Sequence, residues 1–365
     1  MYARKSVREI RNRIGKWPRG LLLALLLLLL ILLAYLDFVT SRFIQLSLFY
    51  ALISGIVGWT LGRRAVLLVV VLATVLTFTS DRLADPSVPL GFDLANHGFR
   101  ALLWTLLGFA LVALRSRMNL LDDAYELICQ DLESGRRVQT AFLSRPVPDD
   151  PRLDVGVAFR TARELGGDYF DIRIIQDQLQ ILVADVSGKG ASAALVTGLL
   201  GGLFSELSRR HQDPAKVLRI LDREITPSLP DGMFITAFYL TMDLENGDCS
   251  YASAGHDPQY RVSSGELEEL MPTGLPLGLL EGFELDVGTF SLAVGESVVL
   301  FTDGVINVKT PNGRMGEEPF VQLLIREMAD TSQILTDRIF VFLDRQGQMD
   351  DDAVVLVLRR NAIAG

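Results

Sequence analysis

Residues 179–190 read "LQILVADVSGKG", an apolar run that ends in a carboxylate followed by two glycines. The run from Leu179 to Ala184 has the length and composition of a buried β-strand. Asp185 stands where this strand leaves the sheet, and the following glycines let the backbone approach the carboxylate closely. The stretch therefore predicts a strand, a tight turn over "SGKG" and a helix over 190–211.

Three other segments repeat this placement of carboxylates at strand ends. They are "GGDYFD" (166–171), "LFTDGV" (300–305) and "MDDDAVV" (349–355). Carboxylate oxygens are the ligands that hard divalent cations such as Mg²⁺ and Mn²⁺ prefer. A single Asp-Gly pair is more often a turn than a ligand, so the metal hypothesis depends on the four segments occurring together.

Strand-like segments recur throughout residues 146–365. Besides 179–185 they are 153–160, 169–175, 234–243, 249–254, 296–303 and 353–360, with helical stretches at 190–211, at 214–226 and twice near 318–345. Strands paired through short turns, with helices grouped between them, are typical of α+β proteins and not of a doubly wound parallel sheet. We predict an αββα layered sandwich of two antiparallel sheets flanked by helices.

The first third of the chain is strongly apolar. Its four apolar runs are 20–36, 43–61, 65–79 and 99–114. Basic residues precede the first run, separate the second from the third and follow the fourth, whereas 80–98 is net acidic. This alternation predicts four membrane-spanning helices with both termini in the cytoplasm, and therefore a multi-pass protein of the cytoplasmic (inner) membrane. The alternatives are a cleaved secretory signal for the first run and a buried helical bundle for all four.

The distribution of charge along the chain restricts the classes of ligand that the part after the basic N-terminal segment can bind. The first twenty residues contain seven basic residues and one acidic residue, so their net charge is +6. We assign this basic segment to 1–19. Because the net charge of the whole chain is −9, the remaining residues carry −15. An acidic part of this kind argues against nucleic acid as a ligand. Three histidines and two cysteines are too few and too isolated for a histidine or thiolate zinc site.

A predicted linker helix over 115–145 follows the fourth run. Its apolar residues form a heptad stripe, which is interrupted near Gly135: Leu121, Tyr125, Ile128 and Leu132, then Val138 and Phe142. Three prolines within 144–151 end the helix. One interpretation is a signalling helix that forms a homodimer through residues 118–143. The other is an ordinary linker that packs on its own domain.

The segments "ELGGDYFD", "DVSGKGASAAL", "SAGHDP", "GLPLGL", "FTDGV" and "DDAVVLVLRR" occur together and in this order. The combination resembles the bacterial serine phosphatases of the metal-dependent (type 2C) protein phosphatase family, in the branch typified by the sporulation stage II phosphatase and stress-response regulators. The resemblance covers 146–365. It argues against a nucleotide cyclase with a Gly-Gly-Asp/Glu-Glu-Phe hairpin, because Tyr169 and Phe170 follow the acid here.

The resemblance implies a site for two divalent cations, Mn²⁺ or Mg²⁺, which activate a water for attack on phosphorus. Four aspartates and one carbonyl match the family's ligands: Asp185 with the Val186 carbonyl between the metals, Asp168 at the first metal, and Asp303 and Asp351 at the second. The triple acid leaves the register open by one residue, so Asp352 is a further candidate. Lys189 is a candidate phosphate contact. We interpret His256 as a residue that organises its turn and not as a general acid.

Two departures from the family pattern bear on activity. The family usually has Glu where Asn307 stands and Thr where Val354 stands. These motivate the alternative of a degenerate phosphatase that acts as a partner-binding module. Because neither change removes a predicted aspartate ligand, we expect an active phosphoserine/phosphothreonine phosphatase, and the resemblance implies a phosphorylated anti-sigma-factor antagonist as its substrate. The apolar runs carry almost no ionisable groups, which favours anchoring or sensing over transport.

Overall fold

The computed structural model describes residues 19–40, 47–143, 146–162, 165–263, 266–280, 282–311, 313–327 and 331–362. The chain divides into two compact units, Met1–Ile128 and Cys129–Gly365. Each unit has its own core.

The first unit is helical. Its helices are α1 (Arg19–Thr40), α2 (Ser47–Leu61), α3 (Arg63–Ala84) and α4 (Leu90–Leu143), the last of which continues into the second unit. Tyr50 of α2 stacks on Trp104 of α4 with ring centroids 5.1 Å apart, in a core that also buries Leu30, Val57 and Val66. Outward-facing apolar side chains such as Leu28, which is 66% exposed, cover the other faces.

All four predicted apolar runs lie in helices, although residues 43–46 are outside the described part of the chain. By length and composition, α3 and the Leu90–Ala141 part of α4 are sufficient to cross a membrane, whereas Gly20–Leu36 and Ser47–Leu61 are shorter. A third helix that meets the same criteria, Ala191–Arg210, belongs to the second unit. The two long apolar helices of the first unit are therefore compatible with a membrane location, and the predicted count of four spans stays a prediction.

The fourth run and the predicted linker lie in one continuous helix, α4, from Leu90 to Leu143. Gly135, near which the heptad stripe is interrupted, lies within this helix. A helix tolerates a single glycine at a cost of about 1 kcal/mol relative to alanine, which a long helix can absorb. The loop predicted over 80–98 is shorter in the structure: it comprises only the residues between Ala84 and Leu90, and the rest of 80–98 lies in α3 and α4.

The second unit contains two five-stranded antiparallel sheets and a two-stranded ribbon. The first sheet has the order β1-β12-β9-β6-β7 and the second β2-β3-β4-β5-β8. Their strands are β1 (Leu153–Arg160), β2 (Asp168–Ile175), β3 (Gln178–Val186), β4 (Ile235–Asp243), β5 (Asp248–Ala254), β6 (Gln259–Ser263), β7 (Glu266–Leu270), β8 (Gly288–Ser291), β9 (Ser297–Phe301) and β12 (Ala353–Arg360), with β10 (Lys309–Thr310) and β11 (Gly313–Arg314) forming the ribbon.

Four further helices cover the outer faces of the two sheets. They are α5 (Ala191–Arg210) and α6 (Pro214–Ile225) beside the second sheet, and α7 (Glu318–Glu327) and α8 (Ser332–Gln346) beside the first. Along β3, Ile181 and Val183 face the layer between the sheets, whereas Leu182 and Ala184 face α5 and α6. Burial on both faces explains why the strand is an unbroken apolar run. The predicted αββα sandwich is confirmed.

Candidate active site

The hairpin of β2 and β3 places the first two predicted ligands opposite each other. Gln176 and Asp177 form its turn with φ of 51° and 59°, the backbone conformation of a two-residue hairpin turn that follows the strand twist. This turn sets a register in which Asp168 pairs with Asp185. Directly opposed residues on one face of an antiparallel pair have Cβ atoms about 4.5–5.5 Å apart. The two carboxylates are therefore neighbours at the end of the second sheet.

The first sheet contributes its acids at the corresponding end. Asp303 begins a single 3₁₀ turn directly after β9, and Asp351 lies just before β12. Because β9 and β12 are antiparallel, with Phe301 paired to Val355, the end of one strand and the start of the other meet at the same edge. The sandwich thus brings segments from three distant parts of the sequence together.

Thr302 joins the acids of the two sheets. Its hydroxyl donates to Asp168 Oδ2 at 2.6 Å and accepts the backbone N–H of Val354 at 2.9 Å. One hydroxyl therefore orients a predicted ligand and holds the strand that begins after Asp352. Thr302 was not predicted from the sequence, although its position immediately before "DGV" was the available signal. Val354, where the family usually has Thr, is fully buried in the layer between the sheets.

The two glycines before Asp168 are required by close packing. A Cβ at Gly167 would lie 2.7 Å from the carbonyl oxygen of Val186, and a Cβ at Gly166 would lie 2.6 Å from Asp352 Oδ2. Gly167 also shares a backbone hydrogen bond with Val186, whose N–H donates to the Gly167 carbonyl at 3.2 Å. The glycine pair thus lets the Asp168 turn lie directly against the turn that follows Asp185.

Asp351 and Asp352 have different surroundings. Asp352 is buried and accepts the backbone N–H groups of Ala162 and Gly167, at 2.8 and 2.7 Å, one on each oxygen. Asp351 is 38% exposed at its side chain and accepts the Lys189 ammonium at 2.7 Å. Asp352 therefore fixes the loop that precedes Asp168, and Asp351 is the more accessible carboxylate of the pair.

Because these carboxylates are buried or partly buried and close to one another, their pKa values are raised. Burial, followed by the charges of Asp303 and Asp351, raises the pKa of Asp185 to about 7. Burial and the charge of Asp185 raise the pKa of Asp168 well above its usual range, and burial with the charge of Asp351 raises that of Asp303. Such a cluster favours either protonation or a bound cation.

The donor atoms at this end of the sandwich are carboxylate oxygens, the type of ligand that hard divalent cations prefer. Within the described ranges of the chain, no group of three acidic, histidine or cysteine side chains is arranged to enclose one metal ion. Magnesium usually takes only one or two carboxylates from a protein and keeps several waters. A set of opposed carboxylates whose charges repel one another therefore fits the chemistry of such an ion.

Neighbouring polar residues orient the site. Asn307, where the family usually has Glu, donates from Nδ2 to Asp303 Oδ2 at 2.9 Å. Lys189 lies in a turn between two glycines with positive φ, Gly188 and Gly190, and its ammonium also donates to the carbonyl of Asp350 at 2.9 Å. The turn thus holds the Lys189 ammonium at the rim of the acidic cluster.

His256 is a structural residue. Its Nε2 is 3.0 Å from the carbonyl oxygen of Phe301, which can only accept, so Nε2 carries the proton and Nδ1 accepts from the Thr236 hydroxyl at 2.9 Å. Burial lowers the pKa of this imidazole to about 4, and the ring is neutral at pH 7. It bridges β4 to the end of β9, which agrees with the interpretation that it organises its turn.

Comparisons with known proteins identify the family. The family model for Stage II sporulation protein E (SpoIIE) matches residues 175–361. The chain is 32% identical over 238 residues to the phosphoserine phosphatase RsbU of Bacillus subtilis (strain 168), which covers 64% of this chain and 71% of RsbU.

Two solved structures share the fold. The RsbU and RsbW domains of Rv1364c from Mycobacterium tuberculosis are similar with a TM-score of 0.55 at 26% identity, over 60% of this chain and 63% of that one. The SiaA-PP2C domain of Pseudomonas aeruginosa is similar with a TM-score of 0.58 at 20% identity, over 66% of this chain and 99% of that one. The chain therefore belongs to the SpoIIE family, and its second unit carries a protein phosphatase domain of the PP2C type.

Proposed function

We propose that the chain is a membrane-anchored, Mn²⁺- or Mg²⁺-dependent phosphatase that removes phosphate from phosphoserine or phosphothreonine on a regulatory protein. The observation that carries this proposal is the meeting of Asp168 and Asp185 from one sheet with Asp303 and Asp351 from the other. The similarity to a phosphoserine phosphatase supports phosphoserine as the preferred substrate. We further propose a phosphorylated anti-sigma-factor antagonist as the protein that carries it.

Each residue of the site has a role in this mechanism. Bound divalent cations supply an activated water at neutral pH and neutralise phosphoryl oxygens. The four aspartates would hold these cations, with the Val186 carbonyl and Asp352 as further candidates. Thr302 orients Asp168 through its 2.6 Å hydrogen bond, and Asn307 orients Asp303. Lys189, at the rim, can donate to an oxygen of the incoming phosphate. This mechanism requires neither a cysteine or serine nucleophile nor a phosphoenzyme.

Replacing Asp303 with Asn tests the proposed activity. The full chain, purified in detergent, is expected to release phosphate from a phosphoserine-bearing protein only when Mn²⁺ is present. Asp303→Asn is expected to lower this rate by at least about 100-fold, since changing residues that merely orient metal ligands already costs 10–100-fold. Asp337→Asn, an exposed aspartate on α8, is the matched control and is expected to retain the wild-type rate. A folded wild type that neither binds Mn²⁺ nor releases phosphate would favour the partner-binding module instead.

We also propose that residues 118–143 form a homodimer. The support is the exposure of the stripe: Leu121 and Ile128 are 69% and 57% exposed in the single chain. Replacing both with Asn is expected to shift the full chain in detergent from dimer to monomer in sedimentation measurements, because it removes two apolar side chains from the interface. Asp123→Asn on the same helix should leave the dimer intact. An unchanged sedimentation profile for the double variant would contradict the proposal.

A further inference from the structure

One lysine head group lies among the carboxylates of the site. The five carboxylates are those of Asp168, Asp185, Asp303, Asp351 and Asp352. Among the residues that the structure describes, only one of the five forms an ion pair: Asp351 Oδ2 accepts the Lys189 ammonium at 2.7 Å. The same ammonium donates to the Asp350 carbonyl at 2.9 Å. Two acceptors on one loop therefore hold Lys189 against a predicted ligand of the second cation.

Both oxygens of Asp351 already have a donor. Lys189 takes Oδ2, and the backbone N–H of Asp352 donates to Oδ1 at 3.1 Å. Each carboxylate oxygen has two lone pairs, so Asp351 retains the capacity to bind a cation. A cation that binds Oδ2 would, however, share this oxygen with an ammonium, and two positive charges so close together repel each other.

The other predicted ligand of the second cation has a neutral partner. Asn307 donates from Nδ2 to Asp303 Oδ2 at 2.9 Å. A carboxamide has no net charge, so it can remain on the carboxylate beside a bound cation. Of the two ligands, only Asp351 therefore has a protein group that opposes the cation by its charge.

The Lys189 side chain is able to move away. It is 39% exposed, and its partner Asp351 is 38% exposed. The ammonium is carried on a flexible four-carbon chain. An ion pair that is exposed to this extent contributes little to stability, so breaking it costs the protein little. The contact with Asp351 can therefore be exchanged for a contact with solvent or with phosphate.

We propose that Lys189 and the second cation compete for the Asp351 carboxylate, so that this cation binds only by displacing the ammonium. The inference rests on the proposed metal-dependent function and adds a form of regulation to the same site. The second cation position fills at a higher cation concentration than the first. Lys189 becomes available to an incoming phosphate only when that position is filled.

The first test measures how fast lysine amines of the full chain in detergent react with limiting acetic anhydride, read by mass spectrometry. In EDTA, Lys189 should react about two- to fivefold faster in Asp351→Asn than in wild type, the range expected for loss of an exposed ion pair. Saturating Mn²⁺ should raise the Lys189 rate in wild type by a similar factor. It should have no further effect in Asp351→Asn. Lys309, which lies 3.5 Å from Asp350 Oδ2, is the reference within each sample, and its rate should not change.

The second test is titration calorimetry with Mn²⁺. Lys189→Met removes the ammonium and keeps an unbranched side chain. It is expected to lower the dissociation constant of the weaker Mn²⁺ binding event about tenfold, because the repelling charge is gone. Lys189→Arg keeps the charge and should not strengthen binding. Lys309→Met removes one positive charge close to the same loop without touching a predicted ligand, so it should bind Mn²⁺ as wild type does.

The outcomes separate the competition from the function on which it rests. Mn²⁺ binding that Lys189→Met leaves unchanged or weakens would overturn the competition alone. If neither wild type nor Lys189→Met binds Mn²⁺, the proposed function fails and the competition fails with it. The acetylation of wild type needs no variant. A Lys189 rate that saturating Mn²⁺ does not raise would therefore overturn the proposal even if a variant does not fold.

Discussion

Replacing Asp185 with Asn is expected to abolish phosphatase activity and to stabilise the metal-free protein at pH 8. The loss of activity follows from the proposed role of Asp185 between the two cations, and it should be at least about 100-fold. The gain in stability follows from the surroundings of the carboxylate. Asp185 is half-buried, and its partial burial together with the charges of Asp303 and Asp351 disfavours the ionised carboxylate. An asparagine side chain at this position would have a similar shape and no charge.

The pH dependence of this effect has a definite sign. The pKa of Asp185 rises from an ordinary value of 3.8 to about 7 in the folded protein. Between these values the folded state binds a proton that the unfolded state has released, so the free energy of unfolding falls as the pH rises. The stabilising contribution is complete below about pH 4 and is lost as the pH passes through 7. A shift of this size corresponds to a few kcal/mol at about 1.4 kcal/mol per pKa unit.

Thermal unfolding of the full chain in EDTA measures the effect. At pH 8 the Asp185→Asn variant should melt several degrees above wild type, because 1 kcal/mol moves the melting temperature by roughly 2–4 °C in a domain of this size. The difference should shrink as the pH is lowered to 5. Asp337→Asn should melt with wild type at both pH values. A variant that melts below wild type at pH 8, or one that retains activity, would contradict the assignment.

Replacing Gly304 with Ala should disrupt both the fold and the site. A Cβ at this position would lie 1.8 Å from the carbonyl oxygen of Asp352, and backbone atoms at that distance have to move. Overpacking a core typically costs 1–3 kcal/mol, and we expect at least about 3 kcal/mol here because the clash is with backbone. Moving Asp352 away also loosens the loop before Asp168, which Asp352 holds. Activity should therefore fall together with stability.

Gly202→Ala is the matched control for Gly304→Ala. Gly202 lies in α5, and a Cβ there would meet nothing within 4 Å. Alanine in a helix is favoured over glycine by about 0.5–1 kcal/mol, so this variant should melt slightly above wild type with unchanged activity. Equal melting temperatures for the two glycine variants would show that the close approach of Gly304 to Asp352 does not constrain the fold.

Much of the second unit was predictable from local sequence. The unbroken apolar run before Asp185 indicated a strand buried on both faces, and β3 is such a strand. The carboxylates at strand ends indicated which segments meet. By contrast, β7 (Glu266–Leu270) was missed, because "ELEEL" at the edge of a sheet is mostly exposed and lacks an apolar run. The composition of α5 resembles that of a membrane span, yet its buried face packs in the core of the second unit.

Local patterns in the chain were enough to predict the main strands, the order of the acidic segments and the glycines that let their turns approach. The polar groups that form hydrogen bonds to the acidic residues or to their turns could be identified only in the folded domain. Thr302 bonds Asp168 across 134 residues, and Gln139 reaches Gly166 from a helix whose stripe gave no sign of it. The physical reason is that periodicity and turn chemistry arise between residues close in the chain. Contacts between distant segments depend instead on sheet register and layer packing, which form only when the whole domain folds.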